Sequence, residues 1–264
     1  MLRPIGLFLG LVTLASSAFA AGTDSLDVQV RGKTLSIAVY PAAGTPRGTI
    51  IMGSGDVGWV GLAVSMAQQL NASGYTVAGV NVRQYLSAFS DGKSHLTTAD
   101  VPRDYRVIAD RLRGAHLLAA PVILSGVSEG AALSALAASD PSNHDWIDGV
   151  IAMGLPEVAE LAWHWSDVGA WILKKDANEP SFHAHEIIAG VSPVPLVLIQ
   201  STRDEYVPEA DYRRLFDTAR EPKKLMLIDA SNHRFTDKPR ELRAAYTSAL
   251  EWIQSQRNHK GPRP

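Results

Sequence analysis

The chain contains no cysteine. That excludes disulfides, a lipid-modified cysteine anchor, thiolate zinc sites and a cysteine nucleophile. Neither sign of charge is in excess: 25 Lys+Arg against 27 Asp+Glu leave a formal net charge of −2. Apart from a short C-terminal tail there is no polybasic run, so no nucleic-acid partner is expected. Long hydrophobic runs are also scarce. The one near the start, Ile5 to Leu14, is too short to span a bilayer. It follows Met1-Leu2-Arg3 and leads into Ala18-Phe19-Ala20. A basic start, an apolar centre and a small-residue exit predict a secretory signal at residues 1–20, cleaved after Ala20. The expectation is an exported, soluble, periplasmic protein. Without disulfides, its mature part (residues 21–264) must rely on its core, which one α/β domain of this length can supply.

What is present is a regular alternation of elements. Leu26–Val30 and Leu35–Val39 alternate apolar and polar residues around Arg31-Gly32-Lys33, as an antiparallel hairpin does. Short apolar strands are expected at Gly48–Met52, Thr76–Val80, Pro121–Leu124, Gly149–Met153, Pro195–Gln200 and Lys224–Asp229. Helical spacing marks residues 60–73, 102–118, 131–138, 209–219 and 239–256. The polar stretch from Arg83 to Thr98 has no clear period, and the basic end at 257–264 reads as a frayed tail. Between 155 and 194 the alternation lapses into an aromatic-rich insertion, placed where a lid over a site is commonly built. Strands separated by helices imply a mostly parallel sheet covered on both faces.

The chemistry centres on Gly126-Val127-Ser128-Glu129-Gly130, where a buried strand gives way to a small-residue helix. A strand-turn-helix of this pattern exposes the serine oxygen above the sheet, at a helix N-terminus. A serine nucleophile needs a base, and the base needs a carboxylate to orient it. Asp204 and His233 each fall a few residues past a later strand, where function concentrates in such sheets. The order Ser128, Asp204, His233 is the one expected for this turn. Glu205 is an alternative orienting acid, and Asp229 reads as structural. The developing oxyanion needs two backbone donors. Glu129 N–H, following the nucleophile, is one. Asp56, in Ser54-Gly55-Asp56-Val57, is the expected second, with Gly55 and Val57 as alternatives.

Acidic side chains at both donor positions favour a cationic substrate over an acidic one. Asp56, Glu129 and Glu205 are therefore candidate substrate contacts. Trp59 and the insertion's Trp163 are candidate pocket walls; the insertion's tryptophans could equally form its own small core. His183 and His185 have the spacing of a metal pair, but with no third ligand close in sequence no metal is expected. The chemistry needs no cofactor.

With elbow, order and strand pattern together, the chain resembles an α/β-hydrolase over nearly all of its mature length. Ser54-Gly55-Asp56-Val57-Gly58-Trp59 resembles the Ser-Gly-Asp-Gly-Gly-Trp stretch of the VirJ/AcvB virulence-protein family, and Gly79-Val80-Asn81-Val82-Arg83-Gln84-Tyr85 resembles that family's strand end. Val57 replaces a family glycine, and Val127-Ser128-Glu129-Gly130 replaces Tyr-Ser-Phe-Gly. The resemblance implies a periplasmic serine hydrolase that deacylates an aminoacyl phospholipid such as lysyl-phosphatidylglycerol. Its partners would be a small-molecule or lipid ester and, transiently, a membrane surface. A general carboxylesterase or peptidase, or a non-catalytic partner-binding relative, are the alternatives.

Overall fold

The structure is a computed structural model that describes residues 24–90, 95–163 and 180–260. The expected signal at 1–20, the middle of the insertion and residues 261–264 lie outside the described residues.

Strands β1 (Asp24–Val30) and β2 (Lys33–Tyr40) form the expected hairpin, in register from Asp24 opposite Val39 to Val30 opposite Lys33. There follow β3 (Thr49–Gly53), α1 (Leu62–Ala72), β4 (Thr76–Val80), α2 (Val82–Ala88) and α3 (Asp100–Gly114). The central pair is β5 (Val122–Val127) and α4 (Glu129–Ser139). Beyond them come β6 (Gly149–Met153), β7 (Val158–Glu160), β8 (Ser181–His183) and the short helix α5 (Ala184–Ile187). The chain then runs through β9 (Leu196–Ser201), α6 (Glu209–Thr218), β10 (Lys223–Ile228) and α7 (Pro239–Lys260). Eight strands form one sheet in the order β1-β2-β4-β3-β5-β6-β9-β10. β1, β2 and β4 pair antiparallel, and every pairing from β4 to β10 is parallel.

Because strand side chains alternate between faces, each strand feeds two cores. Ile51, Leu124, Val150 and Leu198 pack with α3, α4 and Leu215 of α6. Ile50, Ile123, Ile151 and Ile199 pack with α1 and α7. The edge hairpin is tied down by a part-buried polar cluster. Arg31 Nε lies 3.1 Å from both oxygens of Asp104, and Tyr85 Oη donates to Asp104 Oδ2 at 2.7 Å. The Arg31 guanidinium also sits 3.7 Å over the Phe89 ring.

Two expectations need correction. The Arg83–Thr98 stretch opens with a helix, α2, because the Asn81 side chain accepts from Gln84 N–H at 3.2 Å and Val82, Tyr85 and Leu86 enter the core. Two turns are too short to show a period. The tail expected from 257 instead continues α7 to Lys260, with Arg257 Nε 2.9 Å from the buried Asp148 Oδ1. The stem of the insertion is the small sheet β7–β8, with Ala159 opposite Phe182. Both residues are buried in the main core beside α4, so the described stem shares the domain's core.

Candidate active site

Ser128 sits between β5 and α4 with φ 54° and ψ −121°, a positive φ that costs a serine roughly 1–3 kcal/mol and persists only where the surroundings over-determine it. The surroundings here are glycines. A Cβ on Gly126 would collide with the backbone of Gly130 and Ala131, and one on Gly130 would collide with the carbonyls of Gly53 and Ser54. Strand, helix and the turn after β3 therefore approach one another through bare backbone. Ser128 N–H donates to Met153 O at 3.0 Å, which fixes the elbow against the end of β6.

His233 arrives at that same end of β6. A Cβ on Gly154, whose φ is +59°, would stand 2.6 Å from His233 Cε1. Thus the serine is bonded to Met153 and the imidazole lies on Gly154. His233 Nδ1 is 2.7 Å from Asp204 Oδ2, and both side chains are almost wholly buried. His233 Nε2 is buried and has no hydrogen-bond partner. The Asp204 carboxylate is saturated. Oδ1 accepts the N–H groups of Tyr206 and Val207 at 2.9 and 3.0 Å, and Oδ2 also accepts from Gln200 Nε2 at 2.7 Å. Burial alone would raise its pKa, but the hydrogen bond and charge of His233 and the two backbone donors outweigh it and hold the carboxyl below its usual range. The exposed Tyr206 ring stands edge-on to the His233 ring with centroids 5.4 Å apart.

The turn after β3 carries the other oxyanion candidate. Ser54 is buried; its Oγ accepts Val82 N–H at 3.1 Å and donates to Gly55 O at 2.9 Å, fixing the turn. A Cβ on Gly55 would lie 3.8 Å from Ser128 Cβ, so this turn borders the serine. Glu129 occupies the first position of α4, where an N–H has no acceptor within the helix. Its carboxyl is unusual. Oε2 is sealed from solvent without a partner. Burial, and then the nearby Asp56 carboxylate, push its pKa up, against smaller opposing effects of Ser128, its own N–H and His233.

Two candidate substrate contacts are committed elsewhere. Glu205 Oε2 accepts His233 N–H at 2.8 Å, so this acid anchors the backbone of the histidine. The Trp59 indole fills the slot left by side-chain-free Gly79 and reaches Tyr40 Oη at 3.3 Å, packing in the core with α1. Trp163 lies under the Arg83 guanidinium at 4.1 Å, with its N–H on Ser90 Oγ. Asp229 bonds Thr202 and Arg203, a structural role. Gln200, Gly154 and Tyr206 were not singled out in the sequence, although a glutamine closing an apolar strand is a visible signal. A cavity of about 600 Å³ opens at the opposite end of the sheet, beside Pro121, Tyr75 and Arg243, and none of Ser128, Asp204 or His233 lines it.

The fold and this constellation place the chain among the α/β-hydrolases in architecture. The α/β-hydrolase GrgF from Penicillium sp. sh18 superposes with a TM-score of 0.68 at 12% identity, covering 89% of this chain and 99% of that one. A putative dienelactone hydrolase from Klebsiella pneumoniae superposes with a TM-score of 0.66 at 15% identity over 88% and 98%. The esterase domain of a Rhodothermus marinus protein gives 0.60 at 17% identity over 89% and 98%. More narrowly, the family model described as bacterial virulence protein (VirJ) matches residues 48–239, and the chain belongs to that family. A 55-residue stretch is also 38% identical to the Escherichia coli (strain K12) protein YfhR, described as uncharacterized. It covers 21% of this chain and 19% of that protein, so the match spans about a fifth of each.

Proposed function

We propose that the protein is an exported serine hydrolase that cleaves a carboxylic ester through an acyl-enzyme. Ser128 Oγ attacks the ester carbonyl as His233 Nε2 takes its proton, and Asp204 stabilises the resulting imidazolium. The tetrahedral oxyanion is held by Glu129 N–H and a second donor from the Gly55–Val57 turn, with Asp56 N–H the choice. Collapse expels the alcohol, which receives the proton from His233. Water then repeats the sequence on the acyl-enzyme and frees Ser128. The observation that carries this reading is the shared border at Met153–Gly154. Ser128 is bonded to one residue and the His233 ring lies on the other, with Nε2 buried and without a partner. Bonds to the nucleophile are often long before substrate arrives.

The substrate we infer carries an amino group, as in an aminoacyl-phospholipid ester. Supporting this are Glu129, whose sealed oxygen has no donor, and the Asp56 carboxylate close enough to perturb it. An ammonium placed beside the pair would offset the repulsion between them. Export to the periplasm rests on the predicted signal at residues 1–20 and would bring such a lipid within reach.

The test is labelling with a fluorophosphonate probe, followed by a panel of aminoacyl, acyl and lipid esters. Wild type should be labelled and Ser128→Ala should not. Labelling that persists in Ser128→Ala, or none in a folded wild type, would refute the mechanism and favour a binding role. Equal turnover of aminoacyl and plain acyl esters would remove the substrate assignment while leaving the hydrolase.

A further inference from the structure

His183 and His185 have no third ligand close to them along the chain, and folding supplies one. Glu157, just ahead of β7, comes to the two histidines through the β7–β8 pairing that sets Val158 opposite His183. We propose that Glu157, His183 and His185 form a binding site for a divalent transition-metal ion of the zinc class at the stem of the insertion. One candidate ligand atom from each lies within 4.8 Å of the other two. Two imidazoles and a carboxylate are a ligand set that zinc accepts, leaving a fourth position for water.

The hydrogen bonding of the cluster is unresolved without such an ion. Glu157 Oε1 contacts His185 Nδ1 and lies 3.5 Å from His183 Nδ1. Arg214 Nη2, from α6, contacts the same Glu157 oxygen and lies 2.9 Å from the same His185 nitrogen. A neutral ring nitrogen either donates to the carboxylate or accepts from the guanidinium, but not both. Glu157 Oε2, meanwhile, is buried with no partner. Lone pairs thus converge on a point served from one side by a single guanidinium group. A dication bonded to Oε1 and both Nδ1 atoms satisfies those three atoms together. The His183 and His185 side chains are 50% and 35% exposed, which gives an ion an entry path, and half-exposed Arg214 can withdraw into solvent. The site would cross-brace the loop after Gly154 to the exit of the insertion, close to α6, which follows the Asp204 turn.

Arg214 makes the proposal distinguishable from a simple ion-pair latch. It is a cation in the place the metal would take, so removing it must strengthen metal binding. The full purified chain, freed of metal with a chelator, is titrated with zinc sulfate alone by calorimetry, with bound zinc counted by mass spectrometry. One zinc per chain is expected, with a Kd of about 10 µM or tighter. His183→Ala and His185→Ala should each weaken it by about tenfold or more, and Arg214→Ala should tighten it by a similar factor. Zinc should raise the melting temperature of wild type but not of the double histidine variant. Substoichiometric zinc on wild type, unchanged binding in His183→Ala, or weaker binding in Arg214→Ala would each overturn the site. His183 is half exposed, so its variant should fold even if the others do not.

Discussion

Gly154→Ala isolates the positioning of His233 from every chemical group at the site. The residue has φ +59°, and an alanine there pays roughly 1–2 kcal/mol for the left-handed conformation. The larger effect is steric. Its Cβ would stand 2.6 Å from His233 Cε1 and 3.0 Å from Nδ1. Carbon atoms rest at roughly 3.5–4.0 Å, so the ring must retreat by about 1 Å. The 2.7 Å bond to Asp204 opposes that retreat. A displacement of about 1 Å costs on the order of a hundredfold in rate, or about 2.7 kcal/mol of barrier. We therefore expect kcat on an ester substrate, or the rate of fluorophosphonate labelling, to fall about a hundredfold, with the fold retained. Gly114→Ala is the control, because a Cβ there meets nothing within 4 Å. It should leave activity intact. A folded Gly154→Ala protein with kcat within about twofold of wild type would refute the placement of His233 as a reacting group.

Two further predictions concern stability. Glu129 has its folded pKa raised above the ordinary 4.5, so in that window the folded chain binds more proton than the unfolded one and stability falls as pH rises. Glu129→Gln removes that penalty and should raise the melting temperature at pH 8, with the gain gone below pH 4.5; an equal gain at both pH values would contradict it. Asp104→Ala leaves Tyr85 Oη buried without its acceptor and Arg31 with only the longer 3.7 Å contact to Asp100. Urea denaturation should show a loss of about 3 kcal/mol, and a loss under about 1 kcal/mol would show that the hairpin is not held there.

The main sheet was legible because strands and helices alternate with clear turns, and the candidate site because Ser128 follows its strand directly and Asp204 and His233 come a few residues past theirs. A parallel strand delivers the residues that follow it to one end of the sheet, and local bonds such as that of His233 N–H to Glu205 then fix them there. Roles that depend on side-chain direction were not legible. Glu205 sits beside Asp204 yet turns to the His233 backbone, and Trp59 beside the turn after β3 drops onto Gly79. Nothing in the spacing distinguishes those outcomes. The Glu157 cluster was hidden for a different reason. Its carboxylate is brought to the histidines by a pairing across a long insertion, and three-residue strands give no periodic signal.

Glu129 is where the two halves of the functional reading meet. Its N–H belongs to the backbone and, in the proposed mechanism, serves the oxyanion whatever side chain it bears. Its carboxyl is sealed beside Ser128, where, in the proposed mechanism, an ionised group would repel the developing oxyanion. A neutral carboxyl avoids that conflict, and so does one paired with a substrate ammonium, but only the second gives an aminoacyl ester an advantage over a plain one. Replacing the side chain therefore separates turnover from choice. Glu129→Gln should keep the hydrolysis of plain acyl esters, since the oxyanion donor remains, while the preference for aminoacyl esters falls. A preference that survives both Glu129→Gln and Asp56→Asn would mean that the ammonium is recognised elsewhere, and that burial alone keeps this carboxyl from opposing the reaction.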